Sequence, residues 1–569
     1  MRRTALANPM RYLLHRQRAL RRTLCRSEPF HTLVVGGGIR NRSAFTFDAF
    51  FWSGWRMLFN SFPFLFGFLP IVLVGFHLLG RFGKVAALSW LGASSLFFYG
   101  YWNKTVPLLL LGSIVLNFAA AQAIARSASR PFWQRTFLWL GIIGNVTLLC
   151  YYKYWFPLLN SLGSLTHPER YFGSVVLPLG ISFFTLTQIA YLVDLQQGEA
   201  ARMNLLDHLF FVGFFPHLIA GPIVHHRDLM PQVSHSTAFG LNSRDLAVGS
   251  TWFIMGLFKK VVIADQIAAS ADFLFAAPHN QPAVKVWCGI LSYAAQLYFD
   301  FSGYSDMAIG LARMFSLRFP LNFNSPYKAK NIIDFWQRWH MTLTNFLMLY
   351  IYNPLALGVN RRRLAAGLPI GRRAVLTFDG FLRIIGFPTL ATMLVAGIWH
   401  GAGRQFLAFG LLHGIFICIN HAWRIFSPKR IAGLFPSRLR TVSSIAVTFL
   451  AVLSAQVFFR ADSSEDAFAV LGGALGLHGF GALPSTAAAL WPWVALVVIF
   501  CVIWGLPNTQ EILAPYAESQ PALAPSRQPR FTRIWQWQPT WSWSLVLGVA
   551  FFAAFVLMKT ASRFLYFQF

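Results

Sequence analysis

Apolar stretches about twenty residues long recur along almost the whole chain, and no other feature limits its fold so severely. A helix needs about 20 mostly apolar residues to cross the hydrocarbon of a bilayer. Lipid leaves only helices and closed barrels able to satisfy the backbone. Expected spans fall roughly at 61–80, 85–102, 106–125, 136–158, 204–224, 247–270, 284–312, 380–399, 404–425, 441–460, 490–506 and 543–560. Two further apolar segments, 174–196 and 334–356, are interrupted by Pro178, Gly180, Asp334, Arg338 and Pro354. Broken helices survive at membrane depth only when buried in protein or lining water, so both are expected to line an internal cavity. The expected fold class is an all-α polytopic integral membrane protein with about 11–13 transmembrane or re-entrant helices.

Composition agrees. Only 12% of residues are charged and 56% are hydrophobic, against about 25% charged in a soluble domain. The net charge of +29 would suggest nucleic-acid binding in a soluble protein. Here it fits Arg and Lys held in cytoplasmic loops, so a lipid bilayer is the expected partner and nucleic acid is not. Arg361-Arg362-Arg363, Arg372-Arg373 and Lys429-Arg430 mark such loops. The stretch 512–540, with its Pro, Gln and Trp, reads as an extramembrane loop. Five scattered cysteines without a CxxC suggest neither a disulfide framework nor a zinc–thiolate site. Residues 1–56 carry 11 arginines and two acids and read as a basic extension, disordered or outside the working core. The stretch from Met57 reads as a natural start, giving a transmembrane domain over 57–569 with its core at about 174–425.

Several polar residues are not explained by apolar packing. Asp300 and Asp306 lie in Tyr298-Phe-Asp-Phe-Ser-Gly-Tyr-Ser-Asp306. Asn322, Asn324, Ser325, Tyr327 and Lys328 follow, then Asp334, Trp336, Arg338, Trp339 and His340. A charge at mid-bilayer costs about 2.5–3.5 kcal/mol on insertion scales, so these groups must pair or face water. A polar network locking helices together, with Asp300 or Asp334 on Arg338, competes evenly with a lined cavity. Lys259 and Lys260 end a span and read best as snorkelling to lipid phosphate.

Imidazole is the side chain suited to moving a proton near neutral pH. His208, His217, His225, His226 and His421 have no context beyond packing, and His413 is intermediate. His340, closing Phe335-Trp-Gln-Arg-Trp-His340, and His400, in Gly397-Ile-Trp-His-Gly-Ala-Gly403, each follow a tryptophan. Gly397, Gly401 and Gly403 permit close approach of a ligand or another helix. Bringing the two histidines together requires tertiary folding. No HExxH, EF-hand or GxSxG pattern occurs, and adjacent rings at His225-His226 are expected to point apart, so no metal site is expected.

The order of these motifs resembles the membrane-bound O-acyltransferases, and within them the bacterial branch of alginate O-acetyltransferases and D-alanyl transferases. The resemblance spans most of 57–510. It is carried by Leu177-Pro-Leu-Gly-Ile-Ser-Phe-Phe184, Phe214-Phe-Pro-His-Leu-Ile-Ala-Gly-Pro-Ile223, Gly256-Leu-Phe-Lys-Lys260, the Asp300–Asp306 stretch, the two tryptophan–histidine motifs and Phe458-Phe-Arg-Ala-Asp462. Tyr350-Ile-Tyr-Asn-Pro-Leu-Ala-Leu-Gly358 departs from the alginate branch. The resemblance implies helices around a central funnel, with His400 and His340 catalytic. Asp300, Asp306, Trp336, Arg338, Trp339, Trp399 and His413 become candidates for the cavity lining. It implies an acyl thioester donor such as acetyl-CoA, no tightly bound cofactor, and residence in the bacterial inner membrane. It also implies a periplasmic or membrane-anchored polysaccharide acetyltransferase partner of the AlgJ, AlgX or AlgF kind. A transporter or flippase would show pseudo-symmetric halves, which the sequence lacks. A non-catalytic scaffold for polysaccharide export is the other alternative.

Overall fold

The structure, a computed structural model, describes residues 57–101, 103–160, 176–234, 239–427, 436–482, 484–516, 534–558 and Leu565. The extension 1–56, Lys429-Arg430 and most of the 512–540 loop lie outside these residues. The described residues form helices joined by short turns, with no strand among them. Among the described residues, seven helices are long and apolar enough to cross a membrane.

Helices α1 (Pro63–Phe82), α2 (Lys84–Gly100), α3 (Val106–Arg126) and α4 (Pro131–Cys150) follow the expected spans, and α4 continues through a π-helical turn, Tyr151–Trp155. Side chains such as Ile71, Leu108 and Leu116 are more than 60% exposed on these helices. Lipid is the environment that makes such exposure favourable. Met57 and Phe59 are buried, and the Phe59 ring stacks on Tyr304 with centroids 4.8 Å apart.

The next segment departs from expectation. After α5 (Ile181–Gln196), residues 204–224 form no span but two short helices, α6 (Leu205–Gly213) and α7 (Phe215–Leu218), and then extended chain. Phe214 breaks the helix at ψ 115°, just before Pro216. Residues Phe210–Val224 are buried. In a membrane protein a buried segment and a lipid-facing helix have the same hydropathy, which is why the apolar run misleads. Helix α8 (His226–Val233) follows.

Helices α9 (Ser243–Ala276) and α10 (Ala283–Met314) form the central crossing. A Cβ on Gly256 would lie 2.5 Å from the Gly303 carbonyl, and one on Gly310 would lie 2.6 Å from the Gly249 carbonyl. Only glycines allow backbones this close. Buried ion pairs join the two helices: Lys259 to Asp306 at 2.6 Å, Arg313 to Asp245 at 2.7 Å, and Lys260 to Asp300. Lys259 and Lys260 therefore serve the protein core and do not snorkel to lipid.

The interrupted segment 334–356 becomes α11 (Ile332–Trp336), a tight turn, α12 (Met341–Leu347), a π-helical turn over Met348–Tyr352 and α13 (Asn353–Ala365). The remaining long helices are α14 (Phe378–His400), α15 (Arg404–Phe426), α16 (Ser437–Arg460) and α17 (Ala487–Gly505), followed by the shorter α18 (Trp541–Leu557).

Candidate active site

His400 is the last residue of α14, and the crossing of α14 with α15 fixes its position. A Cβ on Gly397 would meet the Phe406 carbonyl at 2.3 Å, and one on Gly410 would meet the Met393 carbonyl at 2.4 Å. A Cβ on Gly401 would enter the Phe406 ring. The glycines at 397 and 401 thus serve close packing with α15. The imidazole is 4% exposed, with ring centroids 4.8 Å from Trp399, 4.9 Å from Phe459 and 5.7 Å from Phe409.

His340 is held by a different device. Asn331 caps α11 by accepting from the Asp334 N–H, and Arg338 returns to Asp334 at 2.6 Å. The chain then turns sharply at His340, whose φ is +44°. A left-handed backbone on a residue other than glycine costs about 1–2 kcal/mol. Such strain concentrates at functional sites. The strand-like segment opposite supplies the restraint, since Met341 N–H donates to the Asn322 carbonyl and Asn324 N–H to the Arg338 carbonyl, both at 2.9 Å.

The Asn322 side chain fixes the proton on this ring. Its amide oxygen accepts from the Thr342 N–H at 3.3 Å and the Thr342 hydroxyl at 2.9 Å, while its nitrogen donates to Ser305 at 3.2 Å. The atom facing His340 Nδ1 at 3.0 Å is therefore an acceptor, so Nδ1 carries the proton and Nε2 keeps its lone pair. His340 is 1% exposed, with its ring 4.7 Å from that of Phe301.

Trp399 links the histidines. Its ring centroid is 6.4 Å from that of His340 and 4.8 Å from that of His400, and Phe183 packs on it at 5.7 Å. A small cleft of about 40 Å³ opens beside His400, lined by Lys153, residues 177–183, Ile219 and Trp399. Gly180 shapes its wall at φ +74°, where a Cβ would fall 2.3 Å from the Leu218 carbonyl. Helix α5 begins at the next residue, so its positive end faces the cleft.

The other candidates divide into four groups. Trp399 lines the cleft. Trp336 donates to His413 Nδ1 at 3.2 Å, and Phe409 lies 4.7 Å from His413, so both pack behind His400. Trp339 stacks with Phe335 and meets Phe323 edge-on, bracing the His340 turn. Asp300 and Asp306 belong to the α9–α10 crossing, and Arg338 to the Asp334 pair; none of the three lines the cleft. Lys153 and Asn322 were absent from the expected set. Asn322 stood among unexplained polar residues, but nothing linked it to His340. Lys153, inside Tyr151-Tyr-Lys-Tyr-Trp155, gives no signal beyond a lone cation in an apolar helix. Lys153 and Phe459 also fall outside 174–425.

His225 and His226 converge, contrary to expectation, with ring centroids 4.4 Å apart. His225 is extended and caps α8, while His226 begins the helix. Together with Asp194 they form the one group of histidine and acid side chains, among the described residues, close enough to hold a metal ion. The hydrogen bonding points elsewhere. His225 Nδ1 accepts from Arg227 N–H at 3.3 Å, so its Nε2 carries the proton that faces Asp194 and Tyr350, each at 2.6 Å. This wiring makes a clamp between α5, α8 and the turn at Tyr350.

The membrane-bound O-acyltransferase family model matches residues 131–368. A peptidoglycan O-acetyltransferase of Helicobacter pylori is 40% identical over 74% of this chain and 80% of its own length. The chain belongs to the membrane-bound O-acyltransferase family. A probable alginate O-acetylase AlgI of Pseudomonas aeruginosa is 36% identical over 72% of this chain and 74% of its own. A teichoic acid D-alanyltransferase of Bacillus subtilis is 27% identical over 50% and 69%. The protein is thus a multi-pass membrane O-acyltransferase. Family membership also accounts for intramembrane histidines without appeal to transport.

Proposed function

We propose that this acyltransferase passes an acetyl group from a cytoplasmic thioester, acetyl-CoA in class, toward a hydroxyl of a cell-wall or secreted polysaccharide. The observation carrying this reading is His400 on a cleft, with His340 behind the shared Trp399. Relatives named for peptidoglycan and alginate acetylation support a polysaccharide acceptor.

His400 acts as general base. It takes the hydroxyl proton as the oxygen attacks the thioester carbonyl, then gives that proton to the departing thiolate as the C–S bond breaks. Such proton transfer contributes about 10²–10⁴-fold. His340 cannot donate through Nε2 while its proton is held by Asn322; the reacting hydroxyl gives its single proton to His400, so His340 orients the acceptor by accepting from a second hydroxyl of the glycan. The enzyme sits in the inner membrane and works with a periplasmic or membrane-anchored polysaccharide acetyltransferase partner.

The test is made in cells carrying His400→Ala or His340→Ala at matched expression, measuring ester-linked acetate on wall and secreted glycan. Loss of acetate in both variants is expected. Normal acetylation in both would refute the assignment.

A further inference from the structure

Lys153 is 9% exposed and sits in the π-helical turn ending α4. No ion pair to it occurs among the described residues. A buried cation is retained only where something repays its desolvation. Its one hydrogen bond runs from Nζ to the Trp399 carbonyl at 2.5 Å, and the indole ring of Trp399 lies 5.7 Å from Nζ. Tyr154, the next residue, donates to the Ile398 carbonyl at 2.5 Å. The two side chains thus cap the C-terminal end of α14, where carbonyls lack helical partners.

Capping alone does not explain a lysine. A hydroxyl makes the equivalent bond at Ile398 without burying a charge. The two residues also differ in position: Lys153 lines the cleft with His400, whereas Tyr154 does not. An ammonium has three N–H donors, and one satisfies Trp399. The N-terminal end of α5 adds positive potential to the same cleft. Positive charge from two directions meets the His400 imidazole where negative charge would develop during acyl transfer.

We propose that Lys153 is a catalytic residue, its ammonium donating to the oxyanion formed when the acceptor attacks the thioester. This rests on the acyl-transfer reading above. As the acceptor oxygen bonds to the carbonyl carbon, the C=O pair moves onto oxygen, and Lys153 binds that oxygen without giving up its proton. The intermediate collapses with loss of thiolate, and the thiolate takes the proton held by His400. Ester and thiol are the products.

The experiment measures transfer from radiolabelled acetyl-CoA by the purified full chain in proteoliposomes, comparing Lys153→Met, Lys153→Arg and Tyr154→Phe. Losing one oxyanion donor costs about 10²–10³-fold in kcat. Lys153→Met is expected to lose that much, with the donor KM changed less than about threefold. Lys153→Arg, which keeps the charge, is expected to exceed Lys153→Met by at least about tenfold. Tyr154→Phe removes only the structural bond and is expected to stay within about threefold of wild type. Equal activity of Lys153→Met and Tyr154→Phe would overturn the proposal. If Lys153→Met does not fold, Lys153→Cys alkylated with bromoethylamine restores an ammonium, and failure of that alkylation to raise activity is equally fatal. If instead the wild type transfers nothing, or His400→Ala transfers normally, the acyl-transfer reading itself has failed.

Discussion

Replacing Asn322 with alanine probes the wiring of His340 without touching the ring. The side-chain oxygen accepts from His340 Nδ1 at 3.0 Å and from the Thr342 hydroxyl at 2.9 Å. Both donors are buried. Stranding a buried donor costs about 1–3 kcal/mol. Charged against the oriented Nδ1–H tautomer, that range is about 5–150-fold in the competent population. Asn322→Ala is therefore expected to lower kcat/KM about 10–100-fold with His340 intact. The decisive arm is the double mutant. If Asn322 acts through His340, adding Asn322→Ala to His340→Ala should cost less than about twofold more. Acetyl transfer in proteoliposomes gives the rates, and thermal unfolding in detergent checks that each variant folds. A full additive loss in the double mutant, or a wild-type rate for Asn322→Ala, would refute the tautomer argument.

Three further substitutions separate structure from chemistry. Gly397→Val places methyl groups against the Phe406 carbonyl and should destabilise the α14–α15 crossing by at least about 1–3 kcal/mol, read as a lowered unfolding temperature. Asp300→Asn leaves Lys260 in the core with Asp265 as its remaining charged partner; fully breaking a buried pair costs about 3–5 kcal/mol, so a smaller loss of thermal stability is expected, and Asp300→Leu with Lys260→Met should recover part of it. His413→Gln loses ring packing behind His400 and is expected to lower stability while keeping acetyl transfer within about fivefold of wild type; a loss as deep as that of His400→Ala would make it catalytic.

What sequence could and could not reveal follows from physics. His340 and His400 stood out because a tryptophan precedes each and small residues surround the second. Their convergence needed the fold, since Trp399 and Phe183 join segments far apart in sequence. The break at Gly180 was legible from Pro178-Leu-Gly180; an interruption of 334–356 was legible from Asp334, Arg338 and Pro354, but not that the chain turns at His340 itself. The reach of Lys153 depends on a π-helical turn, for which sequence periodicity offers no marker. The run 204–224 failed as a span because burial in protein and exposure to lipid select the same side chains. Asp300 and Asp306 looked like cavity residues because an intramembrane acid is conspicuous, but lysines on the neighbouring helix absorb both charges. The rings of His225 and His226 converge because backbone conformation changes from extended to helical between them.

Single-turnover acetyl transfer by the purified chain in liposomes, wild type against His400→Ala, tests the central claim most directly. With labelled acetyl-CoA outside and a soluble glycan acceptor, together with the partner acetyltransferase, inside, the wild type should deliver acetate to the acceptor. His400→Ala should be slower by at least about 10²-fold while binding the donor as before. A His400→Ala rate within a few-fold of wild type would contradict the account.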